Sequence, residues 1–401
     1  MASSIAWLDS TTEEQRVARE LISLFTQPES REELGIGQVR DAFSDILFPG
    51  TSVIQTRARY FLFIPWCYSY GKASHLSGAR LRDVGRKQER ELIHTLHNSG
   101  LDDLVGMVGR RVGPSVKTLP LTIYWSGLRR FEILTHDNDL GTLGAVNSRD
   151  GATELGDRLI SDWDPGLPPA PAGFPTAVPG GFRLTFDEAE WLAKRITGTS
   201  PESVTAHLLE RRIPIGSEHQ FAWEVVPEGR FEALEHARRF SGMMLGASLL
   251  YNLLIGEEYD KMPPPKKHDE MAERYRDEID TWVREYVEPS LADLRAWDVA
   301  RMWELTLAQN PRIDPRAQAF ANAWIEGIRS VGHNGLADNR PLRQLVRARE
   351  ERKGKQSRLL NERMLATWSG ASGTGQLEYR WGTVRVIVND IIHGLNDDAG
   401  T

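Results

Sequence analysis

Between positions 36 and 48 the apolar residues Ile36, Val39, Phe43, Ile46 and Leu47 recur at intervals of three and four, which predicts one face of a helix. Pro49-Gly50 stops it, because proline cannot donate the next backbone bond and glycine accepts left-handed dihedrals. Thr51 or Ser52 can cap a second helix over 53–70, where Tyr60, Phe61, Phe63, Ile64, Trp66, Tyr68 and Tyr70 crowd into a segment that should be buried. Gln55, Arg57 and Arg59 are its polar break, side chains that must snorkel to a surface or meet an anion.

The rest of the chain is also patterned mainly for helices. Ser4–Asp9 suits one short strand, and Thr11 with Glu14 forms a capping box for a helix to about Thr26. Residues 76–99 read as a long polar helix in which Glu89, Glu91 and neighbouring bases pair along the surface. In 101–134, Asp102 can cap a short helix holding Leu104, Val105, Met107 and Val108. A turn follows over Gly109–Pro114, then a second helix over 119–134. That stretch fits a helix-turn-helix or winged-helix-like unit, or an ordinary helical hairpin. Six prolines between Pro165 and Pro179 predict an extended connection. Helices are expected beyond it at 185–196, 200–211, 227–258, 269–286, 291–307, 314–331 and 342–352, with a last one carrying Val384, Ile387, Val388 and Ile391. The nearly unbroken apolar run 243–255 should form a core. The fold class is therefore mainly α, multi-helical, with a few short strands and two subdomains. The expected division is an N-terminal domain over 1–160, a Pro/Gly-rich linker over 161–184 and a C-terminal domain over 185–401.

Composition narrows the setting. The 401 residues can bury a sizeable core, and no apolar run approaches the roughly 20 residues that cross a bilayer. The opening MASSIAWLDSTTEEQ has no basic region followed by an apolar core, so the sequence predicts a cytoplasmic protein with no membrane partner. Cys67, the one cysteine, stands between Trp66 and Tyr68 and reads as a small buried apolar residue. The net charge is −7, yet it is segregated. Residues 57–130 hold thirteen Lys and Arg against five acids, and 340–363 hold nine against three, which leaves −21 on the remainder. An acidic chain built this way can still present a basic face to phosphates.

These two basic stretches carry the leading expectation, a non-catalytic protein that binds duplex DNA. Arg57, Arg59, Arg110, Arg111, Lys117, Arg129 and Arg130 would form one phosphate-facing surface, and Arg347, Arg352, Lys353, Lys355 and Arg358 another. The plainer alternative is that both are solvated helix faces. A rival reading is a metal-dependent nuclease, in which Asp41 and Asp45, four apart on one helix face, share a divalent ion. Glu91, His94 and His97 also fall on one face, at a spacing that can hold a metal or simply face water. The glycine-rich stretch Trp368–Gly375 precedes a helix but lacks the lysine and Ser/Thr ending of a P-loop, and no motif asks for a cofactor. The third reading is an adaptor for a helicase or nuclease partner.

A resemblance bears on this choice. Leu34-Gly35-Ile36-Gly37, Arg40–Asp45, Leu47–Ser52 and Gln55–Phe61, together with Leu119-Pro120, Ile123-Tyr124-Trp125, Ala247–Asn252 and Tyr379-Arg380-Trp381, resemble an uncharacterised bacterial domain-of-unknown-function family over nearly the whole chain. Members of that family are encoded among anti-phage defence and restriction genes. The resemblance implies a defence role without implying a reaction or catalytic residues; a helicase or nuclease encoded alongside is the partner the adaptor reading expects.

Overall fold

The computed structural model describes residues 34–72, 78–101, 104–135 and 163–397, and the protein is mainly helical across them. The strand expected at Ser4–Asp9, the helix capped by Thr11 and the cap Asp102 lie outside the described residues. In chain order the first helices are α1 (Gly37–Leu47), α2 (Tyr60–Lys72), α3 (Gly78–His97), α4 (Pro120–Arg130), α5 (Phe186–Thr199), α6 (Val204–Arg211) and α7 (Glu232–Tyr259). They are followed by α8 (Met271–Trp282), α9 (Glu288–Ala296), α10 (Val299–Gln309), α11 (Pro315–Val331), α12 (Arg340–Glu351), α13 (Glu362–Ala366) and α14 (Trp381–Asn396). Of the expected strands, the described residues retain a single bridge, Leu134 to Trp163.

Backbone contacts group the described residues into two units, 47–220 with 380–397 and 34–46 with 221–379. The core of the first is aromatic and is organised by α2. Tyr60 and Phe61 pack on Tyr124 of α4, Phe61 also on Phe131, and Phe63 and Trp66 on Phe174, with ring centroids 5.0–5.9 Å apart. Tyr60 also meets Phe182. The proline-rich stretch expected as a linker over 161–184 therefore packs into this unit. Phe182 is buried in its core, half-buried Phe174 packs on Phe63 and Trp66, and the Pro168 carbonyl accepts a hydrogen bond from Trp66 Nε1 at 2.8 Å. Prolines make the stretch extended, but its aromatic side chains decide where it goes.

The second unit surrounds α7, whose 243–255 segment is buried almost throughout, as the sequence predicts. The close partner of α7 is α8, and two glycines allow the approach. A Cβ on Gly246 would stand 2.2 Å from the Trp282 ring, and one on Gly242 would stand 2.1 Å from the Tyr286 ring. Trp282 Nε1 donates to the Gly242 carbonyl at 2.9 Å, so the ring is fixed at both ends. Helices α8 and α9 run on through a wide turn at Val283–Val287, so the gap expected between helices at 269–286 and 291–307 is not formed.

Candidate phosphate-facing surfaces

Arg57 and Arg59 precede α2 and do not face solvent. The helix expected from Val53 starts at Tyr60, because the preceding residues spend their polar groups on a compact turn. Thr51 Oγ1 donates to the Phe48 carbonyl at 2.6 Å, and Gln55 Nε2 donates to Gly50 at 3.1 Å. Within the first unit, Arg57 is held by Asp390 of α14, with Nε to Oδ2 at 2.9 Å, and it also donates to the Val105 carbonyl at 3.1 Å. Arg59 is held by Glu188 of α5 at 2.8 Å and donates to the carbonyls of Pro179 and Gly181. Both guanidiniums do meet anions, as charges in a core must, but those anions are internal carboxylates.

The stretch 104–118 is a chain of turns with one short 3₁₀ turn at Gly113–Ser115, so the first helix of the helix-turn-helix reading is not formed. Gly106, Gly109 and Gly113 all adopt positive φ there, a backbone state that interrupts a right-handed helix every few residues. The loop is nonetheless braced. Thr56 Oγ1 donates to the Gly106 carbonyl at 2.5 Å, the Val108 N–H donates to Tyr60 Oη at 2.9 Å, and Arg90 of α3 donates to the carbonyls of Pro114 and Val116. On this platform Arg110, Arg111 and Lys117 are exposed, and among the described residues none of the three has a carboxylate within ion-pair distance. Arg129 and Arg130 are exposed in the last turn of α4, about 15 Å along the helix from its first residue Pro120, where cations also complement the helix dipole.

In the second unit the basic segment is drawn partly inward. Glu350 is 1 % exposed; its carboxylate meets Lys353 Nζ at 2.6 Å and accepts the Arg358 N–H at 2.6 Å. Lys353 also lies over the Tyr251 ring, and Arg358 Nη1 donates to the Tyr251 hydroxyl at 2.8 Å. Arg347 lies 3.9 Å from both Glu258 and Glu351. Arg352 and Lys355 remain exposed. Of the twelve cations singled out in the sequence, then, seven keep exposed side chains: Arg110, Arg111, Lys117, Arg129, Arg130, Arg352 and Lys355.

Asp41 is half exposed and pairs with its neighbour Arg40 at 3.0 Å. Glu91, His94 and His97 all face solvent on α3, and among the described residues no three His, Cys, Asp or Glu side chains converge as a metal site would require. The 368–375 loop already spends its polar backbone inside the second unit. Buried Asn252 donates to the Ser372 carbonyl at 2.8 Å and accepts its N–H at 2.9 Å, and Tyr275 donates to the Gly370 carbonyl. Cys67 is fully buried, and burial pushes its thiol pKa well up.

Glu89 is the residue the sequence misplaces. It points into the core of the first unit with no exposed surface, and its Oε1 accepts the Leu121 N–H at 2.7 Å while Oε2 accepts the Tyr68 hydroxyl at 3.1 Å. Helix α4 begins with Leu119 and Pro120 and has no side-chain cap of its own, so a carboxylate from α3 serves instead. Burial raises the Glu89 pKa from 4.5 to about 7, the two hydrogen bonds opposing it. A carboxylate beside arginines reads as surface in sequence; only the apolar Leu92, Ile93 and Leu96 of the same helix mark the inward face.

The chain belongs to a family of unknown function, DUF6361, whose model matches residues 2–394. No curated protein and no solved structure matches it. Among the described residues no helix is long and apolar enough to cross a membrane.

Proposed function

We propose that this protein is a non-catalytic DNA-binding or scaffolding component of a bacterial anti-phage defence system. The observation that supports the binding role is the braced 104–118 loop, which offers Arg110, Arg111 and Lys117 to solvent with no carboxylate in ion-pair distance among the described residues. Elsewhere the same chain pairs many of its arginines, as with Arg57, Arg59, Arg239 and Arg301. Unpaired cations on a fixed backbone lose little entropy on meeting phosphates and release counterions from the nucleic acid when they do. The defence setting comes from the family resemblance. Fluorescence anisotropy of a labelled duplex at rising salt tests the binding role. The expected result is an affinity that falls with salt, with a shallower dependence in the triple variant Arg110→Ala, Arg111→Ala, Lys117→Ala. No binding, or binding indifferent to salt, overturns it.

A second reading, an adaptor for a helicase or nuclease partner, is favoured by Val105 and Val112. These valines are 62 % and 59 % exposed on the same loop. Rigid apolar side chains beside cations suit an acidic protein surface as well as a phosphate backbone. Loss of partner capture in Val105→Ser, Val112→Ser, with DNA affinity unchanged, is the outcome expected of that reading.

A further inference from the structure

An open cleft of ≈ 590 Å³ on the second unit is lined by Pro315, Arg316, Ala319 and Arg352. Arg316 sits in the first turn of α11 and Arg352 caps the end of α12, two helices that pack together. Both guanidiniums are exposed, and among the described residues neither has a carboxylate within 4.0 Å. Several other arginines of these two helices have internal partners, although Arg340 at the start of α12 is exposed as well. Arg343 pairs with Glu257, Arg347 approaches Glu258 and Glu351, and Arg329 donates to the Leu294 carbonyl. The nearby acid is Asp314, whose carboxylate is committed to capping α11 through the Arg316 N–H at 2.9 Å. Two like charges facing one cleft repel each other until an anion comes between them. Pro315 and Ala319 add an apolar lining to the cleft.

We infer that the cleft between Arg316 and Arg352 is a binding site for a phosphate oxyanion, held by two guanidinium forks. A phosphate group has the planar pairs of oxygens that such forks match, where a chloride offers a single point. Its source can be a free phosphate or the backbone of a nucleic acid, and the site stands whether or not the 104–118 loop binds DNA. Both side chains are exposed, so replacing them leaves the packed faces of α11 and α12 intact.

The experiment is thermal unfolding of the full chain in sodium phosphate against sodium chloride at matched ionic strength, with ³¹P line broadening of inorganic phosphate as a second readout. Phosphate should raise the Tm of the wild type and of the control variant Arg363→Gln. It should do so several-fold less in Arg316→Gln, Arg352→Gln, whose phosphate line stays sharp. An equal rise in the double variant, or none in the wild type, overturns the site. Adding a duplex oligonucleotide separates the sources. Sharpening of the phosphate line in the wild type assigns the cleft to a nucleic-acid backbone. An unchanged line assigns it to free phosphate and, where the duplex fails to bind at all, removes the proposed DNA role while leaving this site in place.

Discussion

At the scale of single residues, the charges that matter to the fold are the ones hidden from water. Glu89 carries a pH signature. Its pKa in the folded protein is raised from 4.5 to about 7, so between those values the folded chain holds a proton that the unfolded chain has released. Stability from this group is therefore fully present below about 4.5 and is lost as pH rises to about 7, a change on the order of 3 kcal/mol. Glu89→Gln keeps an acceptor for the Leu121 N–H and removes the titration. The difference in urea midpoint between wild type and variant should shift in the variant's favour from pH 5 to pH 8, and a constant difference would show that Glu89 does not titrate there. Asp390 gives the complementary case. It accepts from both Arg57 Nε and the Ala58 N–H, so Asp390→Ala removes a carboxylate from a buried guanidinium and should cost ~3 kcal/mol in chemical denaturation. Sequence makes Arg57 and Arg59 visible as odd polar residues beside an apolar run. It cannot show that their counterions come from Asp390 and Glu188, more than a hundred residues away.

For the helices, legibility follows from how local the signal is. Helices α1, α5, α7, α11 and α14 form close to where period and caps put them, α5 with the full capping box between Thr185 and Glu188. Two expectations fail for stated reasons. Residues 53–59 turn because Tyr124 Oη accepts the N–H groups of both Thr56 and Arg57, a tertiary partner no local pattern reveals. Residues 104–112 turn because closely spaced positive-φ glycines outweigh the apolar residues between them. The second unit offers a direct test of helix packing. Gly246→Ala raises helix propensity yet drives a methyl into the Trp282 ring, which is itself tied to Gly242. Overpacking of this kind costs ~1–3 kcal/mol, so the variant should melt lower, whereas a gain would mean that α7 and α8 can separate at no cost. Gly198, which has open space around its Cβ position in α5, is the matched control, and Gly198→Ala should stabilise by ~0.5–1 kcal/mol.

Across the whole molecule, the segregation of charge is legible from counting, but the number of usable cations is not. The sequence offers twelve candidates, and the structure leaves seven exposed, since Asp390, Glu188, Glu350 and the Tyr251 ring engage four of the others and half-exposed Glu258 and Glu351 flank Arg347. This changes a measurable quantity. Each phosphate neutralised on duplex DNA steepens log K against log salt by about 0.9, so twelve contacts would give a slope near −11 and seven no steeper than about −6. The Arg110, Arg111, Lys117 triple alanine variant should make the slope shallower by about 3, and Arg352→Ala with Lys355→Ala by about 2, if both units contact the same duplex. Should the second pair leave the slope unchanged while the first lowers it, DNA binding belongs to the first unit alone and the cations of the second serve another anion. A wild-type slope steeper than about −6 would instead require cations outside the seven, or release of the internal pairs at Arg57 and Arg59. Asp390→Ala would then alter DNA affinity as well as stability, and that joint change is what the buried geometry forbids.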